Sequence, residues 1–144
     1  CFPVLFSLFS GWAAGRARVA NERRAMSDSE ASETMLVMTA LPDAEAAARV
    51  ARAVLAPRLA ACVNRLAPCE SEYWWRGRIE TAREWSLLIK TTRDRYAALE
   101  AAIRQAHPYE VPEIVALPVA AGFPPYLAWV AAETRPDEST IFKD

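Results

Sequence analysis

The spacing of apolar and polar positions along this chain changes several times, and each change marks an element. Thr34 to Leu41 is a short apolar run ended by Pro42-Asp43, which predicts a buried strand. Asp43 suits the N-cap of a helix over about residues 44–59, with Glu45 in its first turn. Ala47, Val50, Ala51, Val54 and Leu55 recur at helical spacing, Arg49, Arg52 and Arg58 lie off that face, and Pro57 should end or kink the last turn. Leu59 to Leu66 resumes as strand. Ala67-Pro68-Cys69 then breaks or bulges it, because proline cannot donate to a central ladder. Ser71 to Trp75 continues, Arg76-Gly77-Arg78 reverses the chain, and Ile79 to Thr92 returns with Trp85, Leu87 and Ile89 alternating against Ser86, Leu88 and Lys90. Together these read as one long β-hairpin. A second helix starts at Asp94, carries Tyr96, Leu99, Ala102, Ile103 and Ala106 on its apolar side, and stops at His107 because Pro108 follows. Ile114 to Val119 is a further strand region, and Phe123-Pro124-Pro125 opens a last helix with Tyr126, Leu127, Trp129 and Val130.

The order β-α-β-β-α-β plus a C-terminal helix predicts an α+β, ferredoxin-like sandwich, with an antiparallel sheet and both main helices on one face. Apolar residues populate both faces of the strands, so the uncovered face wants a partner, and a symmetric homo-oligomer is the simplest supplier. Tyr73, Trp74 and Trp75 fall on both faces of a ribbon that overhangs the domain. They are the candidate interface residues.

Composition narrows the picture. The 144 residues are 53% hydrophobic and 24% charged, which fits one globular domain. A net charge of -1 leaves no basic footprint for nucleic acid or an anionic membrane. RNA-recognition domains share this strand order, but their K/R-G-F/Y-G/A-F-V signature is missing. Three cysteines without C-x-x-C spacing fit a reduced, cytoplasmic protein better than a disulfide framework or zinc site. Phe2 to Trp12 is apolar but too short to span a bilayer, so no membrane partner is expected. Residues 1–33 read as a disordered or non-native extension with a natural start at Met26, although a truncated export leader in residues 1–25 is an alternative; 34–135 is the domain and 136–144 a polar tail.

Candidate chemistry gathers in His107-Pro108-Tyr109-Glu110-Val111-Pro112-Glu113-Ile114, which holds the single histidine, two carboxylates, a phenol and two prolines. The prolines stiffen it into a polar corner, suited either to a site or merely to terminating a helix. A hydrolase would need Cys62 or Ser71 as nucleophile and His107 as base, and nothing in the spacing brings them together. Lys90 reads as a cation for an anion or carboxylate, or as a solvated strand lysine.

Four segments carry a resemblance: Leu59-Ala60-Ala61-Cys62-Val63-Asn64, Tyr73-Trp74-Trp75-Arg76-Gly77, Lys90-Thr91-Thr92 and the His107–Ile114 corner. In that order and spacing, from about Met35 to Thr134, the chain resembles the CutA divalent-cation tolerance family. The resemblance implies a ferredoxin-like fold, a homotrimer held by extended hairpins, an association with copper and other divalent cations, and no settled reaction. Copper-binding members can carry a first-strand cysteine and a His-His pair; here Thr39 and Ala106-His107 stand there, and Cys69 replaces a hairpin glycine. Cys62 matches the family and reads as a buried small hydrophobe. What the resemblance and the residues jointly imply is a non-enzymatic trimeric binding protein. Its metal candidates are His107, Glu110 and Glu113, for Cu(II) or another divalent cation, with none obligatory. Lys90, Tyr109 and Trp75 are its ligand candidates. A scaffold or small-ligand sensor without physiological metal is the alternative reading, with a small hydrolase behind it.

Overall fold

Eight strand-forming residues open the domain as β1 (Thr34–Leu41), and Pro42 stops it. The computed structural model describes residues 18, 29, 30 and 32–136. The chain divides into two compact units, Cys1–Ala31 and Ser32–Asp144. The Phe2–Trp12 run, the expected start at Met26 and the tail beyond residue 136 lie outside the described residues. After β1 come α1 (Ala44–Leu55), β2 (Cys62–Arg65), β3 (Cys69–Trp75), β4 (Arg78–Thr92), a short 3-10 turn, α2 (Tyr96–Ala106), β5 (Val115–Pro118) and α3 (Pro124–Glu133). This is the mixed, ferredoxin-like order that the sequence predicts. Glu33 is already tied in: its carbonyl accepts from Arg93 N–H at 2.9 Å and its carboxylate pairs with the Arg93 guanidinium.

Asp43 caps α1, its Oδ1 accepting from Ala46 N–H at 2.7 Å. The helix ends at Leu55, earlier than expected. Pro57 cannot continue it, and Arg58 takes a positive φ of 54° that turns the chain back. Leu55 is also not on the buried stripe. It lies at the margin and is 38% exposed, whereas Ala46, Ala47, Val50, Ala51 and Val54 are buried.

The sheet runs β2-β4-β1-β5, all antiparallel, with β3 extending along β4. Val37, Leu41, Leu87 and Ile89 meet Val50, Val54, Leu99 and Ile103 in one core between the sheet and helices α1 and α2. Thr91 lies on the same face and donates to the Leu59 carbonyl at 2.6 Å. The opposite face is covered at one end by α3, where Thr92 and Thr134 hydroxyls meet at 3.2 Å. Elsewhere that face keeps half-exposed Leu117 and Val115.

Pro68 has a consequence that reaches the site. Arg65 pairs with Leu87, but Cys69 pairs with Glu84, so three residues on one strand face two on the other. This bulge shifts the register by one, and a one-residue slip swaps the faces of every following side chain. Tyr73 and Trp75 therefore share the face of Glu84. Trp74, opposite Ile79, points the other way.

The reversal at Arg76-Gly77 is a two-residue loop between Trp75 and Arg78, with φ of 49° and 83° at its two positions. A Cβ on Gly77 would meet nothing within 4 Å, so a substitution there strains only the backbone. Gly77→Val should destabilise the hairpin by about 1–2 kcal/mol. Faster amide exchange in β3 than in β1 would report it, and equal exchange in wild type and variant would contradict it.

Candidate functional site

The corner after α2 is held by its histidine. α2 cannot pass Pro108, so His107 leaves the helix in extended conformation (φ -79°, ψ 133°) and turns its ring inward, where it is buried. Its Nε2–H donates at 2.9 Å to the Ala40 carbonyl, two residues beyond the last β1–β5 pair, Met38–Val115. Its Nδ1 accepts from Tyr109 N–H at 3.1 Å. Because Nδ1 accepts from a backbone amide, the proton sits on Nε2 and the ring is neutral. Burial pushes its pKa below the usual histidine range, against smaller opposing effects of the Ala40 carbonyl and the Glu84 charge.

The latch sets Tyr109. Its ring lies 5.1 Å from the His107 ring, and its hydroxyl donates to Glu84 Oε1 at 3.1 Å. Desolvation first, then the Glu84 carboxylate, pushes the phenol up to about 12. The phenol thus remains a donor across the physiological range. Glu84 is only 7% exposed. Between the corner and the outer hairpin lies a cavity of about 590 Å³, whose lining includes Tyr73, Trp75, Glu84, Tyr109, Glu110 and Glu113, with Ser71 and Glu72 at the hairpin side.

The structure brings Tyr109, Glu110, Glu113, Trp75 and Tyr73 to this one cavity. His107 supports it from behind. Lys90 is elsewhere, six residues along β4 from Glu84, or about 20 Å of strand. There its ammonium donates to Asn64 Oδ1 and lies 3.8 Å from Cys62 Sγ. Cys62 also meets the Tyr126 phenol, whose pKa is raised by burial and then by that thiol. Ser71 lines the cavity, but Cys62 does not, and both nitrogens of His107 are engaged. Thr39 has its hydroxyl buried without a partner among the described residues. Glu84 and Glu72 escaped the sequence reading. Both look like solvated strand glutamates, and only the folded corner buries Glu84.

Residues 35–133 match the sequence model of the family described as CutA1 divalent ion tolerance protein. The chain belongs to that family. The Divalent-cation tolerance protein CutA of Pectobacterium atrosepticum is 38% identical over 110 residues, covering 76% of this chain and 100% of the relative. Protein CutA of Mus musculus is 48% identical over 94 residues, 65% of this chain. The chain spans about half of that mouse relative's length, 53%. Among solved structures, CutA from Xylella fastidiosa superposes with a TM-score of 0.70 at 38% identity, over 72% of this chain and 99% of the other. The CutA1 match covers all four segments in which the resemblance was read. It also encloses the cavity, from Ala40 to Glu113.

Among the described residues of this CutA1 family member, no three His, Cys, Asp or Glu side chains are grouped so as to hold a metal ion. His107, Glu110 and Glu113 are therefore not gathered into a coordination set within one chain, and a metal at His107 would first have to displace Ala40 or Tyr109. Nor is any helix of the described residues long and apolar enough to cross a membrane.

Acid should loosen the corner. His107 has a lower pKa folded than unfolded, so the unfolded chain binds more protons as pH falls through about 6.5, its ordinary value. Its contribution to stability is complete above that value and is lost below it. Wild type should lose thermal stability from pH 7 toward pH 5 more steeply than His107→Gln, as followed by circular dichroism. Parallel curves would show that His107 does not titrate as a buried neutral group.

Proposed function

We propose that the protein is a homotrimeric, non-enzymatic cation-binding member of the CutA1 family, serving divalent-cation tolerance in the cytoplasm. The observation that carries this reading is the cavity wall, where Glu84, Glu110 and Glu113 stand around two phenols on a chain of net charge only -1. Such a wall attracts cations and repels anions. The separation of Cys62 from His107 supports binding over nucleophilic catalysis, and free thiols at Cys62 and Cys69 suit a reducing compartment. Trimerisation is supported by the outward Trp74–Ile79 pair, 72% and 61% exposed.

For metal, imidazole and carboxylate oxygens suit Cu(II) rather than Cu(I) or Mg(II). Any complete set needs donors from a neighbouring copy, and freeing one nitrogen of His107 leaves the Ala40 carbonyl or the Tyr109 amide without its partner, at about 1–3 kcal/mol where that group stays buried. Copper binding should accordingly be weak. Equilibrium dialysis should show Cu(II) uptake exceeding Mg(II), lost in His107→Ala and retained in Cys62→Ser. Uptake that survives His107→Ala but disappears in Cys62→Ser would place copper at the Cys62–Lys90 end of the sheet. No uptake by wild type would favour a trimeric scaffold or a sensor of another ligand.

A further inference from the structure

Glu84 presents a charge problem that the chain does not solve by itself. It is more than nine-tenths buried, and among the described residues its side chain has one hydrogen bond, from the Tyr109 hydroxyl to Oε1. None of the ion pairs among the described residues includes it; these join Arg58 to Glu133, Arg78 to Glu80 and Arg93 to Glu33. A buried carboxylate without a cation is expensive, and proteins that keep one supply a partner. The side chain lines the cavity, so that is where a partner can reach it.

The rest of the wall says what kind of cation fits. The carboxylates are too dispersed to chelate a single ion, since no three of them form a metal-holding group among the described residues. They are instead distributed around about 590 Å³, a volume typical of small-molecule sites and far larger than a bare ion needs. Between them stand the rings of Tyr73, Trp75 and Tyr109. Aromatic faces with scattered carboxylates suit a cation that has an apolar body: the rings take the aliphatic stem and attract its positive end, while the carboxylates accept its N–H donors.

We infer that this cavity binds an aliphatic amine with one or more ammonium groups, anchored on the carboxylate of Glu84 and packed against Trp75 and Tyr73. The inference rests on the reading of the cavity as the ligand site and names an organic cation as its occupant. Tyr109 is a positioning residue, its phenol fixing Oε1 of Glu84 and leaving the other oxygen for the ammonium. Exposed Glu110 and Glu113 on the corner are placed to meet further ammonium groups of a longer amine.

Isothermal titration calorimetry on the full chain tests this with butylamine, 1,4-diaminobutane, spermidine and, as the uncharged control, 1,4-butanediol. Affinity should rise from mono- to tri-amine, and the diol should give no binding. Glu84→Gln keeps the shape and the hydrogen bond from Tyr109 but removes the charge, and it should weaken every amine roughly ten- to a hundredfold. Trp75→Leu, which leaves all carboxylates in place, should weaken butylamine severalfold and keeps the test decisive if Glu84→Gln does not fold. Equal binding of diol and diamine, or amine affinities unchanged in Glu84→Gln, overturns the inference. A parallel titration with Cu(II) and Mg(II) separates the two readings. Metal uptake without amine uptake overturns the amine and leaves the divalent-cation reading standing, and uptake of neither removes both.

Discussion

Trp74→Asp should convert the assembly into monomers at micromolar concentration. Trp74 is 72% exposed and faces away from the cavity beside Ile79, itself 61% exposed. Apart from their pairing with each other, neither is buried among the described residues. A buried aromatic removes about 150–250 Å² from water, so the exposed portion of Trp74 offers roughly 3–4 kcal/mol of burial at each contact. An aspartate there forfeits that and adds an unpaired carboxylate to a desolvated surface. The dissociation constant should rise by at least about a hundredfold, since that needs only ~2.7 kcal/mol. Light scattering of wild type and variant at matched concentrations decides the matter. A monomeric wild type would remove the trimer from the proposed function, and a variant that stays assembled would move the contact away from Trp74.

The other large effect should come from His107→Ala. The side chain is buried and makes two hydrogen bonds, one to Ala40 and one from Tyr109. Removing it orphans a carbonyl and an amide at about 1–3 kcal/mol for each that stays buried, and it leaves a void as well. A loss of roughly 2–5 kcal/mol follows, which in a domain of this size lowers the melting temperature by about 10–30 °C. The loss should be local first: the Tyr109 amide should exchange faster, and Glu84 should lose its phenol. His107→Gln, which can still donate to Ala40, should recover part of the stability. A melting temperature unchanged in His107→Ala would mean that the corner is held by its prolines alone.

These two residues differ in how far the sequence revealed them. That some of Tyr73, Trp74 and Trp75 must face outward was legible, because strand alternation guarantees that three consecutive aromatics cannot all face one core. Which of the three faces outward was not legible. The bulge at Pro68 decides it by shifting the register one residue, and its exact placement depends on pairing with β4. His107 was legible as the end of α2 and as the ring of a polar corner. Its neutral, doubly bonded state was not, because the Ala40 carbonyl lies 67 positions away in the chain.

What the sequence determined by itself is local and periodic. The apolar spacing, the Asp43 cap, the stop at Pro108 and the glycine turn each follow from dihedral preference and side-chain phase, and they sufficed for the order of elements and the ferredoxin-like plan. The first helix ended early where Pro57 and Arg58 intervened, and the second began at Tyr96 rather than Asp94, after a 3-10 turn over Arg93–Arg95. Tertiary structure alone decided the charges of the site. Glu84 occupies the polar phase of β4, and its sequence neighbours leave it indistinguishable from Glu80. It becomes a buried carboxylate when a corner more than twenty residues downstream folds over it and Tyr109 reaches its oxygen. Burial and electrostatic partnership come from whichever segments meet in space, and no local pattern encodes that meeting.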